Sequence, residues 1–249
     1  MAKTENNNPG VKVGPNLNFA STEAYNLLRT NISFSLPGKS GGKILGITSA
    51  SPQEGKSFTT LNLAYSLAEA GNKVVLVEAD LRRPSMARTL KLTGTNEFGL
   101  SNYLAGNASV QPRFRHMSNN FEMMFAGDIP PNPSELLGSR KMDELLTNLS
   151  TAFDYVLVDL PPVNSVSDAL VLAKVLDGVI VVVRHNATKR EEVMEAIRQL
   201  KYVNAHILGF VYNGYYRSGR SYYRNSKYYR NNYYASHYYT SDVAKKESK

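Results

Sequence analysis

Short, nearly continuous apolar runs alternate along this chain with longer stretches whose apolar residues recur at helical spacing. Lys43 to Ser49, Lys73 to Glu78, Phe121 to Phe125, Tyr155 to Val158, Gly178 to Val183 and His206 to Tyr212 read as strands buried on both sides. Between them, helices are expected from about Ser21 to Ser35, Gly55 to Ala70, Ser134 to Leu149, Val166 to Lys174 and Thr188 to Tyr202, with weaker helical stretches near Met86 to Leu90 and Leu100 to Leu104. Ser21 or Thr22 and Ser134 suit N-caps, and Gly71-Asn72 closes the second helix as a C-cap would. Apolar strands alternating with amphipathic helices predict an α/β fold, a mostly parallel sheet with helices on both faces.

The two ends do not follow this pattern. Residues 1–20 are polar and Asn-rich and read as a flexible lead; residues 21–214 carry the α/β pattern; residues 215–249 read as a separate, disordered tail. In that tail aliphatic residues nearly vanish and five tyrosine doublets appear: Tyr215-Tyr216, Tyr222-Tyr223, Tyr228-Tyr229, Tyr233-Tyr234 and Tyr238-Tyr239. Their spacing shortens along the tail and matches neither a helix face nor a strand period. Charge follows the same division. Of the net +8, the tail carries +6, so the basic character belongs to it and not to the body. Cysteine is absent, which removes thiolate metal sites and cysteine nucleophiles and fits a reducing compartment. No apolar run approaches the ~20 residues of a membrane span, so direct membrane insertion is not expected.

Candidate chemistry gathers where strands end. Ala50-Ser51-Pro52-Gln53-Glu54-Gly55-Lys56-Ser57 follows a strand and opens a helix. Small residues let successive backbone N–H groups turn inward around phosphate oxygens, the lysine reaches the outer phosphates, and the hydroxyl suits Mg²⁺. Ser51, Gln53, Glu54, Gly55, Lys56, Ser57 and Phe58 are therefore expected to line a nucleotide site for Mg-ATP. Val156-Leu157-Val158-Asp159 is an apolar strand ending in a carboxylate, the form of a metal-orienting aspartate. A third strand ends in Glu78-Ala79-Asp80. Ligands of open α/β sheets bind beyond the carboxyl ends of strands, so these acids converge on the loop. Ser57, Glu78, Asp80 and Asp159 are the expected metal set, and Lys56, Asp80 and Asp159 the expected catalytic set. The four histidines show no metal-ligand spacing.

Taken in order, these motifs resemble the bacterial tyrosine kinases of capsule and exopolysaccharide synthesis, in the branch whose kinase is a separate cytoplasmic chain. The phosphate loop is similar to that family's Walker A motif, Leu76 to Pro84 to its Walker A′, Val156 to Pro162 to its Walker B, and Ala126-Gly127 with Pro130 to Leu137 to a further recurrent stretch. The resemblance covers about residues 17–215 and, by composition, the tail. Two departures stand out: Glu78 occupies a position where aspartate is usual, and Asn26 replaces the middle arginine of an N-terminal assembly motif to which Glu23 and Arg29 conform.

The resemblance implies a P-loop NTPase fold and transfer of the ATP γ-phosphoryl group to tyrosine, with Asp80 near the acceptor. It also implies Tyr215, Tyr216, Tyr222, Tyr223, Tyr228, Tyr229, Tyr233, Tyr234, Tyr238 and Tyr239 as sites of autophosphorylation, modified between subunits. Other protein tyrosines would be substrates too. Arg184 and Asn213, after the last two strands, lie where the superfamily contacts the base. Glu23 and Arg29 would serve assembly into a homo-oligomeric ring. The partner would be a membrane-anchored, chain-length-determining activator, holding this cytoplasmic chain at the inner face of the membrane. Two other readings remain open at this point. One is a Min/Par-like ATPase switch, against which Ser51 stands where those proteins carry a signature lysine. The other is a basic Tyr/Arg tail that binds nucleic acid or another polyanion.

Overall fold

The computed structural model describes residues 12–36, 41–93, 98–106 and 111–215. The chain divides into a unit spanning Met1–Asn213 and a second spanning Gly214–Lys249, of which Gly214 and Tyr215 are described. Seven strands form one sheet: β1 (Lys43–Ser49), β2 (Val74–Glu78), β3 (Arg115–Ser118), β4 (Phe121–Met124), β5 (Tyr155–Asp159), β6 (Gly178–Arg184) and β7 (Ile207–Asn213). Their spatial order is β3-β4-β2-β5-β1-β6-β7. All neighbours run parallel except the edge pair β3–β4.

Eight α-helices are found among the described residues. They are α1 (Phe19–Ser35), α2 (Lys56–Glu69), α3 (Met86–Thr89), α4 (Leu100–Ala105), α5 (Pro133–Leu137), α6 (Arg140–Ala152), α7 (Asp168–Leu172) and α8 (Arg190–Tyr202). Strand side chains alternate between two cores, as a pleated sheet requires. Val75, Val77, Val156, Val158, Val179 and Val181 face α4 to α8, with Leu145, Leu146, Leu172 and Leu200. Val74, Leu76, Leu157, Ile180 and Val182 face α1 to α3, with Ile32, Leu61, Leu63, Leu67 and Met86. Burial on both faces explains why these strands read as continuous apolar runs instead of alternating ones.

Some boundaries differ from the sequence expectation, for local reasons. Asn18, not Ser21 or Thr22, caps α1, its Oδ1 accepting from the Ser21 N–H at 2.9 Å. The single helix expected from Ser134 to Leu149 is two helices. The chain turns at Gly138-Ser139, and Ser139 adopts an extended backbone and caps α6 through the Met142 N–H at 3.3 Å. The edge strand β3 lies where no strand is expected, because Arg-His-Met-Ser is polar and only partly covered.

Candidate functional site

The strand order sets β5 between β1 and β2, so the loop after β1 and the acids ending β2 and β5 meet at one sheet edge. Gly55 opens α2 in the left-handed region, at φ 92°, and a Cβ there would lie 2.0 Å from Asn213 Nδ2. Glycine is needed at this position for both reasons. The positive end of α2 points out of the loop, as anion binding requires.

Lys56, Ser57, Asp80 and Asp159 form a single cluster. Lys56 Nζ lies 2.8 Å from Asp80 Oδ2 and 3.4 Å from Asp159 Oδ2, and donates to Ser57 Oγ at 3.2 Å. Ser57 Oγ in turn donates to Asp159 Oδ2 at 2.6 Å, and Thr60 Oγ1 stands 3.3 Å from Asp159 Oδ1. Burial is the largest influence on the Lys56 ammonium and opposes its charge. The Asp159 and Asp80 carboxylates outweigh it and hold the lysine above its ordinary value. Asp159 is fully buried, which pushes its carboxyl up despite Lys56 and Ser57. Among the described residues no group of three or more His, Cys, Asp or Glu could by itself hold a metal ion. Ser57 and Asp159 nevertheless offer hard oxygen donors of the kind Mg²⁺ takes, with room left in its shell for phosphate oxygens and water.

Arg184 and Asn213, expected as base contacts, brace the loop in this structure. Arg184 Nη1 donates to the Gln53 carbonyl at 2.7 Å, and Asn213 Nδ2 to the Glu54 carbonyl at 2.9 Å. Glu54 is itself buried. Its Oε2 accepts from the Ala50 N–H at 3.0 Å, and its Oε1 from Thr188 Oγ1 at 2.5 Å. Ser51 contributes its carbonyl to Ser49 Oγ, and Phe58 its carbonyl to Asn62 Nδ2, both at 2.8 Å. Thr188 escapes a sequence reading because nothing about a threonine ahead of a helix announces its distant partner.

Glu78 does not join the Lys56 cluster. Its Oε1 accepts from the Ser85 and Met86 N–H groups at 2.7 and 2.9 Å, and its Oε2 from Ala126 N–H at 3.3 Å. These contacts brace the backbone that follows β2 and the backbone that follows β4. Burial is the main cause that raises its carboxyl. Glu23 and Arg29 also have partners within the chain. Arg29 Nη1 donates to the Ser66 carbonyl at 2.6 Å, and Glu23 Oε1 accepts from Asn26 Nδ2 at 3.0 Å. Of the ten clustered tyrosines only Tyr215 is described; the other nine lie outside the described residues.

One cluster had no sequence forewarning. Asp168, fully buried at the start of α7, pairs with Arg82 Nε at 2.9 Å and accepts from Ser134 Oγ at 2.5 Å. Arg82 and Ser134 lie in recognisable motifs, but nothing in the pattern pairs them with Asp168, a lone acid leading an apolar stretch.

The chain is similar to several known proteins. The ParA family model, described as the NUBPL iron-transfer P-loop NTPase, matches residues 42–244. Tyrosine-protein kinase CpsD of Streptococcus agalactiae is 40% identical over 192 residues, covering 77% of this chain and 81% of CpsD. Tyrosine-protein kinase YwqD of Bacillus subtilis is 36% identical over 204 residues, covering 82% and 85%. The chain belongs to the bacterial tyrosine kinases. In three dimensions it is similar to the kinase domain of the Escherichia coli tyrosine kinase ETK, with a TM-score of 0.74 at 34% identity over 80% of this chain and 77% of that one. MinD of Pyrococcus horikoshii, solved with Mg-ADP, is more distant at TM-score 0.60 and 27% identity, over 72% of this chain and 73% of that one. The ParA match accounts for the nucleotide-binding P-loop fold, and the kinase relatives for the enzyme class. Among the described residues no helix is long and apolar enough to cross a membrane.

Proposed function

We propose that this tyrosine kinase transfers the γ-phosphoryl group of ATP to tyrosines of its own C-terminal cluster, between subunits of a homo-oligomer, and thereby regulates capsular or exopolysaccharide synthesis. The observation that carries the reading is the Lys56–Asp80–Asp159 cluster at the mouth of the phosphate loop, in a chain that ends in ten paired tyrosines.

Lys56 and the loop N–H groups bind the phosphates. Ser57 and Asp159 would hold Mg²⁺, which offsets phosphate charge when bound. Asp80, already within 2.8 Å of Lys56, orients the acceptor and takes its proton. A phenol has a pKa near 10, so it needs such a base or strong stabilisation of the developing phenolate. The phenolic oxygen bonds to the γ-phosphorus as the bond to the β–γ bridging oxygen breaks. The electron pair leaves with ADP and the proton passes to Asp80. With a loose transition state, positioning and electrostatics carry most of the rate.

Assembly draws support from α1, where Phe19, Leu27 and Phe34 share one exposed face beside Glu23. Fully extended, the segment from Tyr216 to Tyr239 reaches roughly 80 Å, enough to enter a neighbour's site. A membrane-anchored activator would then hold the chain at the inner face of the cell membrane.

The test is incubation of the full chain with Mg-ATP and the activator's cytoplasmic segment, followed by phosphosite mapping. Phosphotyrosine at the doublets that is lost with Lys56→Met supports the reading. Hydrolysis without phosphotyrosine turns it toward a Min/Par-like switch, and salt-sensitive retention of nucleic acid toward a polyanion-binding tail.

A further inference from the structure

Asp168 has no exposed surface, and the transfer chemistry above makes no use of it. Three donor atoms reach its two oxygens. Arg82 makes a two-pronged pairing, Nε to Oδ2 at 2.9 Å and Nη2 to Oδ1 at 3.1 Å, and Ser134 Oγ donates to Oδ1 at 2.5 Å. Arg82 Nη2 also donates to Ser134 Oγ at 3.0 Å. A carboxylate buried to this degree is costly unless it is paired and hydrogen-bonded, and such forked pairing with arginine is the strong, directional form. The three residues come from separate stretches: the segment after β2, the first turn of α5 and the first turn of α7.

The segment joining β2 to α3 is therefore pinned on both sides of Arg82. At its ends, Glu78 takes the Ser85 and Met86 N–H groups. In its middle, Arg82 is fastened to Asp168. Asp80 lies between, its Oδ1 accepting from the Arg83 N–H at 3.1 Å and its Oδ2 turned to Lys56.

We infer that Arg82 and Asp168 are positioning residues that hold Asp80 at the reacting edge, with Ser134 fixing the orientation of the Asp168 carboxylate. The inference rests on the reading of Asp80 as the group that meets the acceptor. A displacement of about 1 Å in such a group costs about 100-fold in rate.

The experiment compares Arg82→Ala, Arg82→Lys and Asp168→Asn with the wild-type full chain, reading kcat for tyrosine transfer, ATP affinity by calorimetry and thermal melting. Arg82→Ala and Asp168→Asn lose about 100-fold in kcat while the ATP Kd moves less than about threefold. Arg82→Lys falls between, because it keeps the charge and loses the fork. In an Asp80→Ala background, Arg82→Ala brings no further loss, since the group it positions is gone. Single variants that keep near-wild-type kcat overturn the inference. So do losses that multiply between Arg82 and Asp80, or ATP affinity that collapses in step with kcat as general unfolding would cause. If Asp80→Ala itself transfers at the wild-type rate, the reading of Asp80 fails first and this inference with it. Should Asp168→Asn not fold, Arg82→Lys carries the test, because the Arg82 side chain is 41% exposed.

Discussion

Lys56 stands between two carboxylates, and its removal leaves Asp80 and the fully buried Asp159 facing each other. Breaking a buried pair by deleting one partner costs about 3–5 kcal/mol, because the remaining charge is uncompensated. Lys56→Met should therefore unfold in less urea than wild type at neutral pH. The deficit should shrink as acid protonates Asp159, whose pKa already lies above its ordinary value. Glu78 permits a sharper test of pH. Burial raises its folded pKa, so between the unfolded and folded values the native state binds more protons than the unfolded one. Its contribution is favourable below the unfolded pKa and is lost as pH rises through the folded pKa. Urea melts of wild type and Glu78→Gln across the acidic to neutral range should show wild type losing ground to the variant as pH rises. A constant offset would mean that Glu78 is not perturbed by burial. At this scale the sequence was legible where the backbone delivers a group to the sheet edge, as for Lys56, Asp80 and Asp159. Glu78, Arg184 and Asn213 occupy the expected places too. Their partners are backbone groups that only the folded loops bring near, and no side-chain pattern encodes those.

Loops and strand ends, not the nucleotide site alone, determine the shape of the phosphate loop. Arg184, Thr188 and Asn213 tie it to β6, β7 and the approach to α8 through three hydrogen bonds of 2.5 to 2.9 Å, and Glu54 closes the loop on the Ala50 N–H at 3.0 Å. Thr188→Val keeps the side-chain shape but removes the hydroxyl that donates to buried Glu54 and accepts from the Arg184 N–H. An unsatisfied buried carboxylate oxygen costs about 1–3 kcal/mol, and that strain falls on the loop before ATP arrives. Thr188→Val should raise the KM for ATP about tenfold or more with a smaller effect on kcat. Steady-state kinetics across ATP concentrations separates the two, and an unchanged KM would show the loop holding its shape without the brace. Whole elements were more legible than their ends. Five of the six apolar strands announce themselves because both of their faces are buried; β7, at the edge of the sheet, is apolar but only partly covered, with Phe210 and Tyr212 exposed. The break between α5 and α6 was not legible, because apolar periodicity continues across Gly138-Ser139 while Ser139 restarts the helix. β3 was not legible either, since an edge strand of polar residues depends on its neighbour for its existence.

Across the whole chain, charge separates the body from the tail, and the proposed phosphorylation of the tail would act on that division. The tail begins at about +6 beside a body of only +2. Each phosphate adds about −1.5 to −2 at neutral pH, so ten would carry the tail to roughly −10 or beyond. A basic tail is drawn toward the phosphates of ATP in a neighbour's site, and a highly acidic tail is repelled from the same site. Subunits joined, as proposed, by tail-to-site encounters should therefore separate when fully modified. Light scattering on fully phosphorylated and unphosphorylated chains at equal concentration should show the smaller particle for the phosphorylated form. Raising salt to about 1 M, where the Debye length falls to about 3 Å, should bring the two together. A control with all ten tyrosines changed to phenylalanine should stay assembled after Mg-ATP, because it keeps the basic charge and cannot take phosphate. If modified and unmodified chains scatter alike at low salt, assembly runs through α1 independently of tail charge. The charge reversal would then act only on access to the site.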